Sequence, residues 1–253
     1  MAPILKVENL TKTFSRPGQK DVAAVKGISF SLEPGEILGI IGESGSGKTT
    51  AVNMIARLAA PTRGHIYLDG KDITLCKGNQ LRPAYRTMQM VFQNPVESFD
   101  PRRTLGDGIG ESLRNARLSK RETRERVETL LVQCGLPKDF ARRYPHQVSG
   151  GQCQRAAIAR ALAVKPRLLI CDEATSALDV TVQKEIIDLL NGLRAIQKDL
   201  SILFICHDIS LVQSFCHRVL VMYRGEIVEE GTPDALIGHP QNEYTKRLID
   251  SVL

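Results

Sequence analysis

The chain has 253 residues, of which 42% are hydrophobic and 25% are charged, and its formal net charge is +6. This composition is that of a globular protein, and no apolar run approaches the roughly 20 residues that cross a bilayer. The first residues contain no apolar block of the kind found in secretory signals. These features exclude a membrane-spanning protein, and a cytoplasmic location is expected.

Apolar runs of strand length recur along the chain, and several are apolar on both faces, which is typical of buried strands in a mostly parallel sheet. The predicted strands are Ile4–Val7, Ile28–Leu32, Ile37–Ile41, His65–Leu68, Met88–Phe92, Leu168–Cys171, Ile202–Cys206 and Val219–Tyr223. Helical patterns lie between them and predict helices at Lys48–Leu58, Gln152–Ala163, Val182–Leu193 and Ile209–Phe215. This alternation indicates an α/β fold.

One segment interrupts the alternation, because no strand pattern occurs between Gly106 and Tyr144. Ser119 and Glu122 form a capping-box pattern at the start of a helix, and Gly135 is well placed to end it. The sequence therefore predicts a helical insertion in the sheet.

Two dipeptides predict hairpin turns. Asp69-Gly70 follows an early strand that we expect to be antiparallel, and Arg224-Gly225 joins two late strands.

Most of the excess positive charge lies between Leu81 and Gln147. A basic segment can attract nucleic acid, anionic lipid or an acidic protein partner, and it can also be a solvated helical face. Composition does not choose among these alternatives.

The six cysteines show no C-x-x-C spacing; they are Cys76, Cys134, Cys153, Cys171, Cys206 and Cys216. Cys171 and Cys206 lie in apolar, strand-like runs, where a thiol behaves as a small hydrophobic group. We therefore expect buried or inert thiols rather than metal ligands or disulfides.

A glycine-rich loop follows the strand Ile37–Ile41 and precedes a helix, which is the context that the phosphate-binding pattern G-x-x-x-x-G-K-[ST] requires. The loop consists of Gly42, Glu43, Ser44, Gly45, Ser46, Gly47, Lys48, Thr49 and Thr50. Its backbone N–H groups and the positive helix end would bind phosphate, Lys48 would reach the β- and γ-phosphates, and Thr49 would ligate Mg²⁺. The alternative is a glycine turn without a ligand.

Two acidic residues, Asp172 and Glu173, end the apolar strand Leu168–Cys171. Ligands of α/β sheets gather at the carboxyl ends of strands. Asp172 is therefore expected to hold Mg²⁺, and Glu173 is expected to orient an attacking water or accept its proton. A pair that only faces solvent is the alternative.

A second candidate anion site lies at Ser149-Gly150-Gly151-Gln152, before a helix rich in alanine. Ser149 is a natural N-cap, and the two glycines leave further N–H groups accessible. The alternative is an ordinary capped helix.

Together these motifs resemble the ATP-binding cassette (ABC) family, the nucleotide-binding subunits of transporters, over essentially the whole chain. The resemblance implies a P-loop NTPase core with a mostly parallel sheet, an N-terminal antiparallel β subdomain, and an α-helical subdomain inserted before the signature motif at Ser149. It implies one domain over residues 1–253, with the helical subdomain at about 95–163 and a C-terminal tail at about 231–253. In this family the signature of one subunit closes over ATP held by the glycine loop of another, so a second ABC subunit is expected.

Four further positions in the sequence match motifs of this family. Gln93 resembles the glutamine that joins metal and water to the helical subdomain, and His207 resembles the histidine that contacts the γ-phosphate. Residues 176–179, which end at Asp179, resemble the loop that faces the partner subunit. Phe14 falls where the family often stacks an aromatic ring on adenine, with core packing as the alternative.

Segment 93–102, segment 172–182 and the ending from His239 to Leu248 are similar to importers of oligopeptides, dipeptides and nickel. This resemblance implies a peripheral subunit on the cytoplasmic face of the membrane, two permease subunits, and indirectly an extracytoplasmic solute-binding protein. The transported solute and the choice between homodimer and heterodimer stay open. The rival is a soluble ABC ATPase that acts on nucleic acid or ribosomes, but the segment 50–148 shows no coiled-coil heptads, and no nucleic acid partner is expected.

Overall fold

The computed structural model describes residues 2–15, 21–174 and 179–250. Its N-terminal part contains a four-stranded antiparallel sheet in the order β2-β1-β4-β5. The strands are β1 (Leu5–Phe14), β2 (Val22–Leu32), β4 (Arg63–Leu68) and β5 (Lys71–Asp72). The predicted antiparallel β subdomain is thereby confirmed.

A second sheet of six strands has the order β10-β9-β3-β8-β7-β6. Its strands are β3 (Ile37–Ile41), β6 (Met88–Val91), β7 (Leu168–Asp172), β8 (Ser201–Ile205), β9 (Arg218–Tyr223) and β10 (Glu226–Gly231). All neighbours pair in parallel except β9 and β10, which are antiparallel. Strands β3, β7 and β8 are buried at every position, which explains their unbroken apolar sequences.

Helices connect these strands and cover the larger sheet. They are α1 (Lys48–Ile55), α2 (Arg82–Thr87), α3 (Leu105–Asn115), α4 (Lys120–Gln133), α5 (Gly150–Leu162), α6 (Val180–Ile196), α7 (Ile209–Phe215), α8 (Pro233–Gly238) and α9 (Glu243–Asp250). Shorter 3-10 helices lie at Gly78–Leu81, Lys138–Arg142 and Pro145–Gln147. None of the described helices combines the length and the apolar character that a membrane span requires.

Some predicted boundaries differ from the structure. The predicted strands Ile4–Val7 and Ile28–Leu32 overlap the longer strands β1 (Leu5–Phe14) and β2 (Val22–Leu32). The helix expected to reach Leu58 ends at Ile55, because Arg57 adopts a positive φ of 58°. The helices expected to begin at Gln152 and Val182 each begin two residues earlier, at Gly150 and Val180, since the residue before each of them supplies the cap.

The chain between β6 and β7 is helical, as expected from the absence of a strand pattern there. Ser119 Oγ caps α4 by accepting a hydrogen bond from the Glu122 amide, and the Glu122 carboxylate accepts one from the Ser119 amide. Gly135 adopts a φ of 71° just beyond the helix, as a glycine that ends a helix does. The predicted limits of the subdomain, about 95–163, stay a prediction.

Both predicted hairpin turns are present. Asp69 and Gly70 have φ of 50° and 73°, and Arg224 and Gly225 have φ of 48° and 86°. Positive φ at both central residues matches the twist of the flanking strands. The first turn joins β4 to β5 and the second joins β9 to β10.

The six cysteines are free thiols, and all of them except Cys76 are buried. Burial raises the pKa of Cys171 to about 12 and that of Cys206 to about 11. Because the thiolate is the reactive form, these groups are inert near neutral pH.

Candidate active site

The parallel strands bring four predicted motifs to one edge of the six-stranded sheet. Since β3, β8, β7 and β6 are consecutive and parallel, their carboxyl ends meet there. The glycine loop follows β3, His207 follows β8, Asp172 and Glu173 stand at the end of β7, and Gln93 follows β6. Segments that are far apart in sequence therefore form one candidate site.

The glycine loop is folded so tightly that side chains would not fit at two of its positions. Gly42 and Gly47 have φ of 148° and 105°. A Cβ atom at Gly42 would lie 2.2 Å from the carbonyl oxygen of Met222, and one at Gly47 would lie 2.5 Å from that of Ala24. Both φ values are open to glycine and strained for other residues.

Gly47→Ala is expected to lower the free energy of unfolding by about 3 kcal/mol, since it adds both backbone strain and a steric clash. Gly45→Ala is the matched control. Gly45 has a φ of 81° but no atom within 4 Å of a built Cβ, so we expect a loss of about 1 kcal/mol. Urea unfolding of both variants measures the difference, and equal losses would contradict the proposed clash.

Lys48 is buried inside this loop. Its Nζ donates hydrogen bonds to the Gly42 carbonyl at 2.6 Å and to the Glu43 carbonyl at 2.9 Å. Burial lowers the pKa of Lys48, while the negative charges of Glu173 and Asp172 oppose that shift. Lys48 is therefore a cation held against the loop, close enough to Asp172 and Glu173 for their charges to act on it.

Asp172 has an oxygen suited to a metal ion. The residue is 7% exposed, and its Oδ1 has no hydrogen-bond partner among the described residues. Burial and the nearby charge of Glu173 raise the pKa of Asp172 to about 6, although Lys48 opposes the shift. A buried carboxylate oxygen without a partner is costly, and carboxylate and hydroxyl oxygens are the ligands that Mg²⁺ prefers. The buried, unpartnered Oδ1 of Asp172 therefore fits the predicted Mg²⁺.

Glu173 is hydrogen-bonded to Gln93. Its Oε2 accepts a bond from Gln93 Nε2 at 2.8 Å, so the structure joins two predicted site residues that are 80 positions apart. Glu173 has a φ of 46°, which is a strained value for a residue with a side chain. Its amide donates to the Ile205 carbonyl at the end of β8 at 3.1 Å. The carboxylate is thus fixed both by its backbone and by Gln93.

The segment Ser149 to Gln152 forms the predicted cap at the start of α5. Ser149 Oγ accepts from the Gln152 amide at 3.3 Å, and Gln152 Oε1 accepts from the Ser149 amide at 3.0 Å. Ser149 and Gly150 are exposed. Among the described residues, no hydrogen bond joins segment 149–152 to the glycine loop. The predicted N-cap at Ser149 is thus present, and its role as an anion site stays a prediction.

Three further predicted site residues are Asp179, Phe14 and His207. Asp179 caps α6 by accepting from the Val182 amide at 3.0 Å, whereas residues 176–178 of the same motif lie outside the described residues. Phe14 is 48% exposed at the end of β1, with Lys12 Nζ 5.1 Å from its ring centroid. Core packing, the alternative for Phe14, is therefore wrong. His207 is exposed.

Two contacts to the glycine loop were not found by sequence reasoning. The Gly225 amide donates to the Ser46 carbonyl at 2.8 Å, and the Glu43 amide donates to Tyr244 Oη at 2.9 Å. In the sequence, the ending from His239 to Leu248 shows only a resemblance to importers. No local pattern marks Tyr244 as a neighbour of a loop 201 positions away.

The chain is similar in sequence to known proteins of one family. The family model described as "ABC transporter" matches residues 25–176. The oligopeptide transport ATP-binding protein OppF of Escherichia coli K12 is 43% identical over 235 residues, which cover 92% of this chain and 70% of OppF. The probable peptide ABC transporter ATP-binding protein y4tS of Sinorhizobium fredii is 45% identical over 253 residues, covering 97% of this chain and 71% of y4tS.

A solved structure shares the fold. It is the dimeric post-hydrolysis state of the ATP-binding cassette MJ0796 bound to ADP and Pi, with a TM-score of 0.83 and 32% identity, covering 90% of this chain and 98% of that one. The predicted α/β fold is thus confirmed by an independent structure. The extent of these similarities, together with the glycine loop and acidic pair at one sheet edge, places the chain in the ABC transporter family, as one of its ATP-binding subunits.

Proposed function

We propose that this chain is the ATP-hydrolysing subunit of a binding-protein-dependent importer, with peptides as the transported class. The observation that carries the proposal is the meeting of Lys48, Asp172 and the Gln93–Glu173 pair at one sheet edge. The names of OppF and y4tS support peptides. Neither name mentions nickel, which stays a prediction from sequence resemblance.

In the proposed reaction, the phosphates of ATP lie against the backbone N–H groups of segment 42–49. Lys48 neutralises charge on the β- and γ-phosphates, and Glu173 orients a water in line with the γ-phosphorus and takes its proton. The hydrogen bond from Gln93 holds the Glu173 carboxylate in place. His207 stabilises charge that develops on the γ-phosphate.

Mg²⁺, when bound, supplies charge neutralisation on the phosphate oxygens. Thr49, Gln93 and Asp172 would hold it. The buried, unpartnered Oδ1 of Asp172 supports this assignment.

Adenine is proposed to stack on Phe14. The ring is exposed at the end of β1, and an aromatic face binds a base without needing specific hydrogen bonds.

A second ABC subunit, identical or different, completes the site. The exposed cap Ser149 to Gln152 would close over the γ-phosphate held by the partner chain, and Asp179 would face the same partner. The exposure of Ser149 and Gly150 supports a cap that is accessible to another chain. Two ATP molecules would then lie in a head-to-tail dimer, and hydrolysis would reopen it.

The permease subunits are proposed to dock on a groove beside the helical layer. We call this the docking groove. It consists of a cavity of about 960 Å³, whose lining includes Tyr85, Arg86, Leu118, Arg126 and Lys165. An adjoining cavity is lined by Leu58, Tyr85 and Phe92 among others. Leu58, Tyr85 and Phe92 are large exposed hydrophobics. A short permease helix with apolar and acidic side chains suits this surface, and it would place the chain peripherally on the cytoplasmic face of the membrane.

Arg86→Glu is expected to abolish copurification with permease subunits from detergent-solubilised membranes, since it reverses a charge in the docking groove. ATP binding should be unchanged. Arg121→Glu is the matched control, because Arg121 is an exposed helix residue that forms an ion pair with Glu125. Retention of nucleic acid or ribosomes instead of permease by the unaltered chain would favour the rival function and overturn the proposal.

A further inference from the structure

A tyrosine near the C-terminus contacts the glycine loop directly. Tyr244, on α9, accepts a hydrogen bond through its Oη from the backbone amide of Glu43 at 2.9 Å. The tyrosine is only 5% exposed, so water does not readily replace this bond. The loop is therefore attached to a segment 201 positions further along the chain.

The peptide group that Tyr244 contacts also holds Lys48. The Gly42–Glu43 peptide has its N–H bonded to Tyr244 and its carbonyl oxygen bonded to Lys48 Nζ at 2.6 Å. Hydrogen bonds at both ends of one peptide fix the orientation of its plane, and bonds in such a chain strengthen one another. The Tyr244 hydroxyl and the Lys48 ammonium are thus connected through a single peptide unit.

Tyr244 is itself held rigidly. Its ring stacks on Tyr223 with centroids 4.0 Å apart and an interplanar angle of 26°. Its amide donates to Asn242 Oδ1 at 2.8 Å, and the Asn242 amide donates to Glu229 at 3.0 Å. Leu248 on the same helix is buried in the core. The hydroxyl is therefore presented to the loop by a packed, hydrogen-bonded support.

We propose that Tyr244 is a positioning residue that orients the Gly42–Glu43 peptide and, through it, Lys48 for the phosphates of ATP. The inference rests on the proposed ATP-binding function. Tyr244→Phe would keep the ring and its stacking but leave the Glu43 N–H without its partner. The peptide could then rotate, and Lys48 would lose part of its orientation before ATP arrives.

The test measures the affinity for ATP by titration with a fluorescent ATP analogue. We expect Tyr244→Phe to weaken binding about 5- to 10-fold, a loss typical of one removed hydrogen bond. Tyr223→Phe, which removes the hydroxyl from the other ring of the stacked pair, is the matched control and should bind like the unaltered chain. Thermal unfolding of both variants verifies that they are folded.

A double-mutant cycle with Lys48→Ala separates positioning from a structural role. If Tyr244 acts through Lys48, Tyr244→Phe will cause no further loss of affinity in the Lys48→Ala background. The same fold-loss in both backgrounds would overturn the inference, and so would unaltered binding by Tyr244→Phe alone. Failure of the unaltered chain to bind ATP would instead overturn the proposed function.

Discussion

Glu173→Gln is expected to lower steady ATP hydrolysis at least about 100-fold, while ATP affinity stays within a few-fold of the unaltered chain. A positioned general base contributes roughly 10²- to 10⁴-fold to a rate, and an amide cannot take the proton of the attacking water. Glutamine has nearly the same shape and can still contact Gln93, which lies 2.8 Å from the carboxylate. Release of inorganic phosphate under saturating ATP and Mg²⁺ measures the effect.

Glu226→Gln is the matched control for this experiment, because Glu226 is an exposed carboxylate whose partner is the surface residue Lys26. It should hydrolyse ATP at the unaltered rate. Unchanged turnover in Glu173→Gln would remove the assignment of Glu173 as the base. The blocked variant should also accumulate as an ATP-bound dimer in size-exclusion chromatography, so a monomer at saturating ATP would count against the shared site.

Lys48→Ala is expected to weaken ATP and ADP binding about 100-fold, since charge-assisted hydrogen bonds in a partly desolvated site contribute roughly 1.5–3 kcal/mol. The substitution also leaves the carbonyls of Gly42 and Glu43 without the donor that they share. Isothermal titration calorimetry with each nucleotide measures the change.

The control for the lysine is Lys71→Ala, which removes a positive charge from the exposed strand β5. Its nucleotide affinity should not change. Binding by Lys48→Ala as tight as that of the unaltered chain would mean that the loop holds phosphate through its backbone alone.

Strands β3, β7 and β8 were predictable because their sequences are apolar almost throughout, which is typical of strands that are buried on both faces. Helix α3 was not. Its sequence contains Gly106, Gly108 and Gly110, which weaken a helical pattern. The structure supplies the reason for them, because a Cβ at Gly108 would lie 2.6 Å from the Phe99 ring and one at Gly110 would lie 2.9 Å from Thr123. Close packing between distant residues overrides local propensity at this helix.

The candidate site likewise contains residues that could be predicted from the sequence and residues that could not. The glycine loop, the acidic pair and the cap at Ser149 were found from sequence, since each has a local pattern with a physical reason. Gln93 and His207 were placed only by family resemblance. The contact between Glu43 and Tyr244 was missed, because it depends on how α9 packs across the sheet, which no local pattern encodes. The catalytic and metal roles of these residues stay predictions.

The unequal burial of the six thiols makes the chain suited to site-selective labelling without mutagenesis. Five thiols are enclosed, whereas Cys76 is half-exposed after β5, beside Leu75 and Gln80. A maleimide dye or spin label added near neutral pH will therefore attach first at Cys76, outside the glycine loop and the acidic pair. One reporter per subunit then allows distances between two chains to be followed as nucleotide is added and consumed.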